Sequence, residues 1–122
     1  MGSGFLLRAA GRRLFSVVIA SDDKALDKLI KSAPKGRLLV VDYYADWCGP
    51  CKRFEPTYEA LSNKYDADAD FIKINIENAS EHAAEASISS VPSFQLIKDG
   101  AVVDLVVGAD QQTLEDAIDA RK

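Results

Sequence analysis

Residues 38–45 read LLVVDYYA, a run that is apolar except for one aspartate. So short and continuous a run is typical of a strand buried on both faces, which needs covering layers above and below it. The flanking sequence supplies helices for that purpose. Upstream, SVVIA (residues 16–20) reads as a short strand, and Ser21 or Asp22 can cap a helix carrying Leu26, Leu29, Ile30 and Ala33 at helical spacing. Pro34 and Gly36 then break the pattern. Downstream, a helix begins near Cys48. Its Phe54, Tyr58, Leu61 and Tyr65 form one apolar stripe, with Pro56 inside it and expected to kink it. FIKINI (71–76) alternates as a strand, and residues 80–87 read as a short helix. Residues 93–97 and 102–107 flank Lys98-Asp99-Gly100, a hairpin signal, and Asp110 can cap a last helix with Leu114, Ala117 and Ile118 facing inward.

The expected order is therefore β-α-β-α-β-α-β-β-α. Helices between the early strands imply parallel pairing through right-handed crossovers, and the closing hairpin adds antiparallel strands. The expectation is an α/β chain with a mixed central sheet. A total of 122 residues suits one domain with one core.

The cysteines narrow the chemistry. Cys48 and Cys51 are the only two, three positions apart, and His82 is the only histidine. A disulfide across so small a loop removes little entropy from the unfolded chain, so it is a poor staple. A four-ligand zinc site needs ligands this chain lacks, and no metal is expected. Reversible thiol–disulfide chemistry remains, or two idle thiols. A Cys-x-x-Cys beside a βαβ pattern favours the first. A buried strand ending at Ala45 and a helix opening at Cys48 would put that sulfur among unpaired N–H groups at the positive end of the helix dipole, where an anion is favoured. Cys51, one turn in, would be the more shielded thiol. Cys48 is thus expected to attack and Cys51 to resolve. Asp42 is a carboxyl group in an apolar strand. It either titrates near neutral pH and serves the cysteines as a proton carrier, or lies wet or paired at the strand end.

Charge adds exclusions. The net charge is −4, and residues 1–15 hold Arg8, Arg12 and Arg13 with no acid, so the remainder carries −7. An acidic body argues against a nucleic-acid binder. No apolar run approaches the roughly 18 residues of a membrane span. Residues 1–15, MGSGFLLRAAGRRLF, have the composition of a mitochondrial transit peptide, and Arg13-Leu14-Phe15-Ser16 fits a matrix-protease cleavage pattern. A mitochondrial location is the expectation, with the cytoplasm and a plain N-terminal arm as the alternative.

WCGPCK, Trp47 to Lys52, resembles the active-site signature of the thioredoxin family. VDYYA resembles the strand before it, with Asp42 at the buried-acid position. VPS (91–93) resembles the loop before the family's cis-proline, here Pro92. Lys73 in KINIE matches the lysine near that acid, and KDG and VGA, with Gly108, match the late hairpin and substrate groove. The resemblance covers about residues 16–120. It implies a thioredoxin fold over 16–122, a mixed five-stranded sheet flanked by about four helices. Catalysis would fall to Cys48, Cys51, Asp42 and Lys73, and substrate contact to Trp47, Gly49, Pro50, Val91, Pro92 and Gly108. Tyr44 stands where the family usually has Trp, and Ser93 where it usually has Thr.

The implied activity is reduction of protein disulfides by a Cys48–Cys51 pair with no bound cofactor. Thioredoxin reductase would recharge it with electrons from NADPH, and disulfide-containing proteins such as peroxiredoxins or reductases would be its clients. A monomer is the default. A thiol near pKa 8.5 brought to about 7, the value for thioredoxin itself, gains roughly fifteen-fold in thiolate but loses about five-fold in nucleophilicity. The net advantage in attack is therefore only about threefold. The larger benefits are expected from exposure, from Cys48 as a leaving group, and from a resolving thiol held close. Two alternatives differ in kind: a disulfide oxidase or isomerase, disfavoured by Gly49-Pro50 where such relatives usually carry Gly-His, and a redox-independent binding module built on the Trp47–Pro92–Gly108 surface.

Overall fold

The computed structural model describes residues 17–122; the expected extension, residues 1–15, lies outside the described residues. The elements follow the expected order: β1 (Val17–Ala20), α1 (Asp23–Ser32), β2 (Leu38–Tyr44), α2 (Gly49–Lys64), β3 (Ala69–Asn75), α3 (Ser80–Glu85), β4 (Ser93–Lys98), β5 (Ala101–Val107) and α4 (Gln111–Arg121). The sheet runs β1-β3-β2-β4-β5. Pairs β1/β3 and β3/β2 are parallel, and β2/β4 and β4/β5 antiparallel. Among the described residues the sheet is thus mixed and five-stranded, with four α-helices, as expected.

Residue spacing decides which side chain goes where. Successive residues of a strand point to opposite faces. Leu38 and Val40 of β2 pack with Phe54, Tyr58 and Leu61 of α2 and with Leu114 and Ile118 of α4. Leu39, Val41 and Tyr43 pack on the other face with Leu26 of α1, and Ala83 of α3 lies against the same cluster. By this alternation Asp42 falls on the face of Leu38 and Val40, beneath the helix that carries the cysteines.

Local chemistry sets the element ends. Asp22 caps α1 by accepting from Ala25 N–H at 2.8 Å, and Asp110 caps α4 by accepting from Thr113 N–H at 2.9 Å. The hairpin turns on Asp99 and Gly100, both at positive φ (53° and 80°), the geometry that matches strand twist in a two-residue turn. Asp99 also accepts from Gly36 N–H at 2.6 Å, tying that turn to the loop before β2. The helix α2 runs on through Pro56 to Lys64.

One expectation needs correction. Ile76 begins a short 3₁₀ turn (Ile76–Asn78) rather than ending β3, because Asn75 accepts from Glu77 N–H at 2.9 Å and turns the chain. His82 of α3 is partly exposed. Its Nε2 lies 2.6 Å from Asp27 Oδ1, while Asp23 accepts from His82 N–H at 3.0 Å, so α3 is pinned to α1.

Candidate active site

The site forms where β2 ends and α2 begins. Cys48 is the capping residue of α2, with extended backbone (φ −87°, ψ 108°), and its Sγ accepts from Cys51 N–H at 3.1 Å. One of the otherwise unpaired N–H groups of a helix start is therefore spent on this sulfur, at the positive end of the dipole. Cys48 N–H donates to the Ala45 carbonyl at 3.1 Å, and the Cys48 carbonyl accepts from Lys52 N–H at 3.2 Å. Pro50 occupies the first turn, where its missing N–H is not needed, and no acidic residue stands in that turn to oppose negative charge. Cys48 and Cys51 are disulfide-bonded, with Cα atoms 5.3 Å apart.

The sequence suggests an exposed Cys48 above a shielded Cys51, and the structure corrects this for the oxidised pair. Both are buried, at 4% and 5% exposure. They form one apolar cluster with Ala45, against which Tyr44, Ile76 and Val91 pack. What separates the two sulfurs is backbone position, one at the cap and one inside the first turn.

The expected contact residues gather around this pair. The Val91–Pro92 bond is cis, and the Val91 carbonyl oxygen lies 3.7 Å from Cys48 Sγ. Gly108 N–H donates to the Pro92 carbonyl at 2.9 Å, and Gly108 has φ 99°, a left-handed backbone that glycine accommodates without strain. Trp47 is 69% exposed. A Cβ on Gly49 would stand 3.1 Å from Arg53 Nη1, so the motif glycine leaves room for a guanidinium beside it.

Asp42 lies on the inner side of the site. It is 5% exposed, and its Oδ1 is buried without a hydrogen-bond partner. Burial raises its pKa to about 7; the positive charge of Lys73 pulls it down, and the negative charge of Glu55 pushes it up. At that burial Asp42 is not a solvent-exposed acid at the strand end. Lys73 stands opposite Asp42 in the parallel register. It is not a free strand lysine: Nζ lies 3.1 Å from Glu55 Oε2 and 4.9 Å from the centre of the Tyr44 ring. The structure thus brings together Cys48, Cys51, Val91, Pro92 and Gly108 on one side, and Asp42 with Lys73 on the other.

Sequence reasoning passed over Glu55, Arg53 and Arg37. Glu55 and Glu59 sit at i and i+4, one position beyond the stripe residues Phe54 and Tyr58. Acids on the edge of a helix that must cover a buried aspartate are a signal that could have marked them. Among the described residues, no group of three or more His, Cys, Asp or Glu side chains is placed to hold a metal ion.

Comparison with known proteins agrees with this geometry. The family model described as Thioredoxin matches residues 17–120. Thioredoxin-1 of Schizosaccharomyces pombe is 48% identical over 84 residues, covering 69% of this chain and 81% of that protein. Thioredoxin of Coprinus comatus is 38% identical over 94 residues, covering 76% and 89%. Among solved structures, Fasciola hepatica thioredoxin superposes with a TM-score of 0.80 at 38% identity, covering 86% of this chain and 99% of that one. The chain belongs to the thioredoxin family and is a thiol–disulfide oxidoreductase whose redox-active group is the Cys48–Cys51 pair.

Proposed function

We propose that the chain works in the reducing direction, with Cys48 as nucleophile, Cys51 as resolving thiol and Asp42 as proton carrier. The observation that carries the role assignment is the capping bond: only Cys48 Sγ accepts a backbone N–H of the helix start. In the reduced protein the Cys48 thiolate attacks one sulfur of a client disulfide. A mixed disulfide forms and the other client sulfur leaves as thiolate. Cys51 then gives its proton to the Asp42 carboxylate and attacks Cys48 Sγ. The intramolecular disulfide forms, and the second client sulfur departs. Two electrons pass to the client, which takes up two protons from solvent and from Asp42. Trp47, Gly49, Pro50, Val91, Pro92 and Gly108 form the client surface: Trp47 is an exposed aromatic, and the Val91 carbonyl, 3.7 Å from Cys48 Sγ, would accept a backbone N–H of an extended client segment.

Family membership implies disulfide-containing client proteins. Thioredoxin reductase with NADPH as electron source, and peroxiredoxin-type clients, are the finer part of this proposal. So is a mitochondrial location, which rests on the arginines and absent acids of residues 1–15. Import of the full chain into isolated mitochondria, with loss of about that length, tests it; a full chain that gains no protease protection, or equal protection of a variant lacking Arg8, Arg12 and Arg13, would refute it.

Equilibration with glutathione tests the direction. The expected potential is about −270 mV, the value of thioredoxin itself. A potential of about −180 mV, that of an isomerase, would overturn the reductase reading.

A further inference from the structure

Beneath α2, on the face away from the Val91–Pro92 loop, a cleft of about 230 Å³ is lined by Val17, Ile19, Asp42, Glu55, Glu59 and Lys73. It leads from solvent to a carboxyl group whose Oδ1 has no hydrogen-bond partner. Lys73 projects from the strand position paired with Asp42 and is, among the described residues, the one cation lining the cleft, yet its ammonium is paired with Glu55 Oε2 at 3.1 Å and lies over the Tyr44 ring. The Glu55 side chain is 54% exposed and that of Lys73 20%, so the pair sits toward the solvent end.

We propose that Glu55 is a positioning residue for proton transfer: with Tyr44 beneath, it holds the Lys73 ammonium at the cleft mouth and so prevents Lys73 from closing a direct ion pair on Asp42 that would fix the carboxyl in its ionised form. This rests on Asp42 as the proton carrier. Asp42 and Glu55 compete for the Lys73 ammonium. A lysine opposite a buried carboxylate gains most by pairing with it, since the interaction strengthens as water is excluded. An acid anchored on the helix above offers the ammonium a half-exposed partner with less desolvation. The fields on Asp42 have the matching signs, Lys73 favouring ionisation and Glu55 opposing it. The other titratable groups facing Asp42 are Tyr58 and Glu59 of α2 and Tyr44 on its own strand. The Tyr58 hydroxyl is committed to the Ile72 and Val40 carbonyls, at 2.7 and 3.0 Å.

The test reads the Asp42 carboxyl carbon directly, by ¹³C NMR titration of the oxidised full chain. Glu55→Gln should lower the midpoint by about one pH unit, because the charge is lost and Lys73 is freed to approach. Lys73→Met should raise it. With Lys73→Met already in place, Glu55→Gln should move the midpoint by less than half as much. An unmoved midpoint in Glu55→Gln, or an equal move with and without Lys73, would overturn the proposal. Failure of the underlying reading looks different: Asp42→Asn would then reduce insulin with an unaltered pH profile, while the midpoints would still decide how Glu55 acts on Lys73.

Discussion

A carboxyl group placed where Leu38 and Val40 set the pattern is a costly choice for stability, and the cost depends on pH. The folded Asp42 keeps its proton up to about pH 7, whereas an unfolded aspartate releases it near 3.8. Between those values the folded state binds more protons, so stability falls as pH rises through the window. The difference of about three pH units corresponds to up to about 4 kcal/mol. Asp42→Asn should therefore be more stable than the parent above pH 7, by up to about that amount, with the gap closing below pH 4. Urea denaturation at pH 4 and pH 8 checks this. A gap that grows toward low pH would show that burial does not hold the proton. The position of this acid in an apolar run is plain in the sequence. Its unpartnered Oδ1 is not, because that depends on Lys73 turning to Glu55 across two elements.

At the scale of elements, the joint between β2 and β3 is held by a residue the sequence does not single out. Arg37, just before β2, donates through Nη1 to the Ala67 carbonyl at 2.9 Å and through Nη2 to the Asp66 and Ala69 carbonyls, and its Nε lies 3.2 Å from Asp70 Oδ2. The guanidinium fork thus clamps the turn between α2 and β3 to the start of the central strand, which fixes the register that sets Lys73 against Asp42. Arg37→Ala should cost about 3 kcal/mol, the scale for breaking a partly buried charged network. A fall in urea midpoint at constant m-value is the expected result, and an unchanged midpoint would assign the register to the strands alone. Strands, caps and hairpin were legible because each rests on local pattern: Asp22 and Asp110 before apolar helices, Asp-Gly between strands, alternation in 71–75. Arg37 was not, since its acceptors lie some thirty residues away on backbone carbonyls, which carry no residue identity.

For the whole molecule, the βαβ halves and the closing hairpin serve one arrangement. They carry a helix N-terminus and a cis-proline loop to a single sulfur pair and set a buried acid of β2 beneath the same helix. The motif Trp47–Lys52 announces the chemistry. The relation of Cys48 to Val91 and Gly108, forty and more residues on, follows only once β4 pairs with β2 and β5 with β4. The equal burial of the two cysteines also escapes sequence reasoning, because Tyr44, Ile76 and Val91, which pack on the pair, come from three separate parts of the chain. Their division of labour is the claim on which the account turns. It is tested most directly by mixing reduced Cys51→Ser and Cys48→Ser variants with insulin and resolving the products by intact mass under non-reducing conditions. The expected result is a stable one-to-one adduct through Cys48 in the first variant and none in the second. An adduct that forms through Cys51 when Cys48 is absent, at a comparable rate, would contradict it.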